Sequence, residues 1–543
     1  MCLWHRTIMR SFAIFCVIVC WSGCCLASRP TTTIANGTIV GRSLPEFNQD
    51  LFLGIPYADP PSRFSTSIAR TTKFNGSFNA SNFSAVCHGT GGPPAGNVFS
   101  ENCLTLNIIR QSTTTTNSTA LPVVIWIHGG GFWGGSAADP NLNGSYIVQK
   151  SVAQNTPIIF VSIQYRLLFY GFPSGNEPHA LGRENLGLLD QRLAFQWVQE
   201  NIAAFGGDPT KVTIMGESAG GTGILQHLVA YGGRNDHLFR AAIVQSGSFY
   251  DVPCNWNVST IREANYQSFL NETGCDGFSC LQTLDNEILF NVSLKFFSQF
   301  LPSIDGTFMP AHPVELFDQG KQISVPLLMG VNDDEGTILV QPGSNTTEDI
   351  KRALMGLNGS SYVIDGSTFE RLFELYPDDP AAGVPHNTGA GVPPTGFMDK
   401  TSYLIFGDAV EHSVRRWITG LYAQAGNAVY SYRFAQIPWH GSVLFGATHG
   451  VDISYVFGTS LGPRPSDLRL SRYMIGAWAS FVHSLNPNYG DFVLEWPDYR
   501  VAGQNMVLVA DGEHAEEDVY RTAGLALWTE QRIQGCAGLR AGV

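Results

Sequence analysis

Short runs with apolar residues on both faces recur along the chain, at 123–127, 158–163, 212–215, 241–244, 325–330 and 429–434. A strand with one wet face alternates apolar and polar positions. Runs like these are buried on both sides, as the central strands of a parallel sheet are. Between them the period changes. Over 190–205, Leu193, Trp197 and Ile202 recur with their apolar neighbours at helical spacing, and Gly206-Gly207 predicts where the helix stops. Strand and helix in alternation predict an α/β fold with a mostly parallel sheet. No repeat period and no long linker divides the chain, and the Pro/Gly-rich stretches 90–96 and 379–396 read as surface loops.

One of these runs carries chemistry. Residues 211–215 lead directly into Gly216-Glu217-Ser218-Ala219-Gly220-Gly221, and residues 222–231 read as helix. This is G-x-S-x-G in strand–turn–helix context, the pattern that lifts a serine hydroxyl off a sheet edge. The sharp turn strains the Ser218 backbone, and side chains at the flanking positions would collide with strand and helix. The Ala219 N–H then opens a helix, where negative charge is favoured. A second strand ends in His128-Gly129-Gly130-Gly131-Phe132-Trp133-Gly134. Gly129 to Gly134 also fits G-x-G-x-x-G. A dinucleotide site, however, needs a helix at the last glycine and an acid closing the next strand. Here Ser136 to Pro140 follows the loop, and Gln164-Tyr165-Arg166 closes the strand, so the loop reads instead as a source of backbone N–H groups for an acyl-transfer oxyanion. His128 itself reads as structural.

A serine nucleophile of this kind needs an imidazole and a carboxylate, in the order Ser, acid, His along the chain. After the strand at 325–331 come Asp333, Asp334 and Glu335, any of which can orient an imidazole. A late strand at 429–434 leaves His440 and His449 as bases. The residues alone do not choose within either set.

Charge and compartment narrow the partners. With 543 residues, 32 Lys+Arg against 45 Asp+Glu and a net charge of −13, the chain is a poor ligand for nucleic acid or acidic lipid surfaces. Arg6 and Arg10, an apolar run from Phe12 to Trp21 and the small-residue exit Cys25-Leu26-Ala27 predict a secretory signal over 1–27 and a mature chain of 28–543. Eleven Asn-x-Ser/Thr sequons, from Asn36 to Asn358, agree with export and N-glycosylation. Of the eleven cysteines, Cys87, Cys103, Cys254, Cys275, Cys280 and Cys536 remain after the signal, an even number without zinc-ligand spacing.

Taken together, Phe52 to Tyr57, Glu101 to Asn107, His128 to Phe132, Asn185 to Arg192, Phe205 to Pro209, Gly216 to Gly221, Gly330 to Gly336 and His449 to Gly458 resemble the type-B carboxylesterase/lipase family, the cholinesterase-like branch of the α/β hydrolases. The resemblance spans nearly the whole mature chain. It implies an α/β-hydrolase fold, a large central mostly parallel sheet flanked by helices, and a secreted serine hydrolase acting on small-molecule or lipid esters. It places the nucleophile at Ser218, the acid at Glu335, the base at His449 and the oxyanion donors at Gly130, Gly131 and Ala219. It pairs Cys87 with Cys103 and Cys275 with Cys280, leaving Cys254 and Cys536 open. It requires no metal or cofactor, no nucleic acid and no stable membrane insertion. The 88–102 loop matches the lid region of lipases in this family. Here it is short, lacks helical amphipathic spacing and has no Trp to hold a choline cation. That favours an open esterase gorge over an interfacial lid. Phe296, Phe297 and Phe300 stand either as acyl-pocket wall or as core. The alternatives are a lipase working on long-chain acylglycerols at an interface and a non-catalytic binding relative.

Overall fold

In the computed structural model, which describes residues 29–113, 119–249, 258–356, 366–386, 388–488 and 494–537, the doubly apolar runs form the middle of one large sheet. The signal segment 1–27, and the sequons at Asn117, Asn257 and Asn358, lie outside the described residues. In chain order the strands are β1 (Thr31–Ile34), β2 (Gly37–Val40), β3 (Arg42–Leu44), β4 (Gln49–Pro56), β5 (Ser77–Asn79), β6 (Thr105–Gln111) and β7 (Leu121–Ile127). They continue with β8 (Ile159–Ile163), β9 (Gly207–Glu217), β10 (Ala241–Gln245), β11 (Leu327–Asn332), β12 (Val429–Phe434), β13 (Gln504–Leu508) and β14 (His514–Glu517).

The large sheet has eleven strands in the order β14-β13-β12-β11-β10-β9-β7-β8-β6-β4-β3, and β1, β2 and β5 make a small separate sheet. The six runs expected from the sequence are the consecutive strands β12 to β8 of that order. Every neighbouring pair from β13 to β8 is parallel, while the edge strands β14, β6, β4 and β3 pair antiparallel. The alternation of side chains across a strand explains why the central runs are apolar throughout. Val123, Ile125 and Ile127 of β7 enter one buried cluster, with Ile214, Val244 and Met329. Val124 and Trp126 enter a second cluster on the opposite face, with Met215, Ile243 and Leu328. Helices cover both faces. The predicted helix is Leu186–Asn201, continued by a tighter turn over Ile202–Phe205, and Gly206 ends it at φ 83°. Because β7, β9, β10, β11 and β12 run in the same direction, their C-terminal ends share one edge. The loops leaving that edge carry the glycine loop, Ser218, Ser246, Glu335 and His449.

Candidate active site

Ser218 sits between β9 and the helix Ala219–Gly233 with φ 54° and ψ −125°. A non-glycine residue adopts this left-handed backbone only where its surroundings impose it. Two hydrogen bonds do so here: the Ser218 N–H donates to Gln245 O at 2.9 Å, and its carbonyl accepts from the Thr222 N–H at 2.8 Å. The turn also needs an absent side chain at Gly220, where a Cβ would lie 2.1 Å from Ile127 O.

The three chemical groups meet. The Ser218 Oγ lies 2.8 Å from His449 Nε2, and His449 Nδ1 lies 2.6 Å from Glu335 Oε2. Glu335 is fully buried, and its other oxygen accepts from the Ser246 hydroxyl at 2.6 Å and from the Asn332 N–H at 2.7 Å. Both carboxylate oxygens are thus occupied by hydrogen-bond partners, which fixes the orientation of the group toward His449.

The three acids that sequence left unsorted occupy three different places. Asp333 faces away and pairs with Arg433, which in turn binds Glu516. Asp334 holds the neighbouring loops. It accepts from the Ala447 N–H at 2.7 Å through one oxygen and from the His386 N–H at 2.8 Å through the other. Its own N–H donates to Ala447 O at 3.0 Å. Ligand atoms of Asp333, Asp334 and His386 lie within 4.8 Å of one another, but each acid already has protein donors. Of the two histidines, His440 is exposed on the loop after β12, whereas His449 comes from the same loop's inner end. That inner end is clasped to the acid loop, with Asn332 Nδ2 donating to Thr448 O at 2.9 Å and Thr337 Oγ1 hydrogen-bonded to Thr448 Oγ1 at 2.7 Å.

The glycine loop lies directly against the serine. A Cβ on Gly129 would come within 3.0 Å of Ser218 Cβ and 2.6 Å of Glu217 Oε2. The loop is folded by its own turn, with the Trp133 and Gly134 N–H groups both donating to Gly130 O, at 3.0 and 2.8 Å. Among the described residues the N–H groups of Gly130 and Gly131 have no protein acceptor. Ala219, the first helical residue, has none within its helix. His128 is structural, as expected: buried, stacked on Tyr165 at 4.5 Å, with Nδ1 2.9 Å from Gly129 O. Burial pushes its pKa down to about 4, so it stays neutral.

Two groups were not singled out in the sequence. Glu217, the variable position of the motif, is buried with Oε1 3.6 Å from His449 Nε2. Burial pushes its carboxyl up to about 8, against the pull of His449 and with Asp452 and Glu335 adding to the rise. Glu217 borders a cavity of about 420 Å³ with Gly130, Gly450 and Ser454. Ser246 follows β10 and had no motif of its own. Its position at the C-terminal end of a central strand was the one available signal. Burial works against a charged His449, but the Glu335 carboxylate outweighs it, aided by Glu217, and the imidazole pKa is raised.

Cys87–Cys103 and Cys275–Cys280 are disulfides. The first closes the 88–102 loop, which contains no helix and is tied down by the Thr90 N–H to Trp133 O at 2.8 Å and the Ser100 N–H to Val86 O at 2.9 Å. The three phenylalanines divide. Phe300 is core, packed edge-on against Phe169 and Phe269, with Phe296 beside it. Phe297 is exposed and meets Trp133 of the glycine loop edge-on at 5.4 Å.

The carboxylesterase family model matches residues 28–528. "Lipase 1" of Geotrichum candidum is 33% identical, covering 92% of this chain and 95% of its own. "Secreted triacylglycerol lipase LIP1" of Gibberella zeae is 33% identical, covering 88% and 86%. The crystal structure of Aspergillus niger EstA superposes with a TM-score of 0.81 at 27% identity, covering 94% of this chain and 99% of that one.

Proposed function

From the fact that the chain belongs to the carboxylesterase family, and is a carboxylic ester hydrolase with an α/β-hydrolase fold, we propose that it cleaves esters through an acyl-enzyme on Ser218. The supporting observation is the relay of 2.8 and 2.6 Å from Ser218 through His449 to the buried Glu335. In this reading Ser218 Oγ attacks the ester carbonyl carbon while His449 Nε2 takes its proton. The carbonyl oxygen becomes an oxyanion and rests on the N–H groups of Gly130, Gly131 and Ala219. Each such donor is worth about 10²–10³ in rate. The bond from the carbonyl carbon to the alcohol oxygen then breaks, and His449 returns the proton to the leaving alkoxide. Water repeats the sequence on the acyl-enzyme, releasing the acid and free Ser218. Glu335 holds the Nδ1–H tautomer and faces the imidazolium formed in both steps.

A purely binding role is disfavoured, because the chain keeps the nucleophile, base and acid in contact. A lid-gated mechanism gains no support from a short 88–102 loop held by a disulfide. We further propose that residues 1–27 are a secretory signal, that 28–543 form the exported enzyme, and that exposed sequons carry glycans. The relatives named as secreted support export, and among the described residues no helix is long and apolar enough to cross a membrane. The test is Ser218→Ala in the full chain, assayed on a soluble aryl ester. Hydrolysis is expected to fall by several orders of magnitude with the fold intact, and unchanged turnover overturns the assignment.

A further inference from the structure

The loop that delivers His449 has an outer half unlike the rest of the surface. Trp439, Val443, Leu444 and Phe445 are 50%, 62%, 55% and 47% exposed, and Ile437 to Gly446 contains no Asp, Glu, Lys or Arg. Three consecutive apolar residues facing water are costly and are kept on soluble surfaces where something covers them. The exposure does not come from a loosely held chain. The Gly441 N–H donates to Pro438 O at 2.9 Å, and the Phe445 and Gly446 N–H groups both donate to Ser442 O at 3.0 Å, so two successive turns shape the tip. Its base is fixed by Thr337 Oγ1, which donates to Phe445 O at 2.9 Å. Ile338, the next residue after Thr337, is 52% exposed. Trp439 stands under the Arg464 guanidinium at 5.5 Å. That pairing suits a boundary between oil and water, with the indole in the apolar phase and the cation on the wet side.

We propose that residues 439–445 are a docking loop that seats the enzyme on the surface of an aggregated, uncharged ester lipid. The proposal rests on the ester-hydrolase reading and names the surface from which that site is fed. Two observations favour this occupant. The loop is continuous with the candidate base, since Phe445 lies just before Ala447 and Thr448, which are clasped to the acid loop. The chain is acidic and the loop offers no cation of its own, so an anionic bilayer is repelled while an uncharged droplet is not. The loop is distinct from the 88–102 segment and needs no lid movement.

The experiment uses the full chain carrying Val443→Ser and Leu444→Ser. Binding is read by flotation with a triacylglycerol emulsion and with phosphatidylserine vesicles, both proteins carrying Ser218→Ala so that nothing is consumed. Activity is read with Ser218 intact, on a soluble short-chain ester and on the emulsion. The double variant is expected to bind droplets at least tenfold more weakly and to lose emulsion hydrolysis in parallel. Its kcat/KM on the soluble ester should stay within twofold. Equal droplet binding overturns the proposal, as does preference of the parent for the anionic vesicles. Light scattering in which the parent is a dimer and the variant a monomer also overturns it, by assigning the loop to a second copy. If the unmodified chain hydrolyses no soluble ester, the ester-hydrolase reading fails instead, and the binding result still stands or falls separately.

Discussion

Replacing Glu335 by Gln tests the proposed relay at one atom. The substitution keeps size and shape, and the surroundings dictate how the amide must sit. One corner of the carboxylate accepts from both Ser246 Oγ and the Asn332 N–H, at 2.6 and 2.7 Å. A backbone N–H can only donate, so that corner must hold the amide oxygen. The NH₂ group then faces His449 Nδ1, which lies 2.6 Å from the other oxygen in the native protein. Nδ1 must now accept, which moves the imidazole proton to Nε2, against Ser218 Oγ. An imidazole in that tautomer cannot take the serine proton, and the imidazolium loses its counter-charge. For an acid-to-amide change of this kind the loss in kcat is about 10⁴-fold, or about 5 kcal/mol of transition-state stabilisation. Because every buried group keeps a partner, near-UV circular dichroism should be unchanged. The assay is kcat and kcat/KM on an aryl ester for the native chain and Glu335→Gln. A loss smaller than tenfold with the fold intact would refute the proposed role of Glu335.

The remaining predictions concern charge, stability and modification. His449 must be neutral to accept the serine proton, and its pKa is raised above the ordinary 6.5. Log kcat/KM should therefore climb with pH through a midpoint above that value, and a flat profile between about pH 4 and 8 contradicts it. Asp518 accepts from Arg415 at 2.5 and 2.9 Å, with both side chains buried, and Arg416 adds a further bond at 2.7 Å. Asp518→Asn leaves a buried guanidinium without its counter-charge and should cost about 3–5 kcal/mol in urea unfolding. A cost below about 1 kcal/mol would refute this weighting. Burial opposes ionisation of Asp518, but the two arginines hold its pKa far below the usual carboxylate range. Its stabilisation is present above the unfolded-state carboxylate pKa and is lost as pH falls toward the depressed folded value. Finally, Asn36 is buried and its Nδ2 donates to Arg70 O and Thr72 O at 3.1 and 3.2 Å. Enzymatic deglycosylation in heavy-oxygen water should label the exposed Asn75 or Asn271 and leave Asn36 unlabelled. A labelled Asn36 contradicts the packing argument.

Sequence alone reached the sheet centre more easily than its edges, for a physical reason. The central runs of β7 to β12 are covered on both faces and so are mostly apolar. β14, β3 and the small sheet of β1, β2 and β5 are short, with polar positions exposed, and read like loop, while the buried β13 opens on the polar pair Gln504 and Asn505. The proposed nucleophile was legible because an elbow demands its glycines locally. The proposed acid and base were not legible from the residues, because their choice depends on contacts between distant segments. Only the fold turns Asp333 toward Arg433, sets Asp334 against Ala447 and leaves Glu335 facing His449. The resemblance to the family had named the same two residues. Ser246 and Glu217 show the limit of both routes, since what distinguishes them is burial beside the relay.

The central claim is that one hydroxyl, at Ser218, becomes acylated. Mass analysis of peptides from the full chain treated with a fluorophosphonate tests it most directly. The account predicts one stoichiometric adduct on the peptide containing Ser218, loss of ester hydrolysis in step with its formation, and no adduct in Ser218→Ala. Full inactivation with the adduct on another residue, or full modification of Ser218 with hydrolysis undiminished, would contradict it.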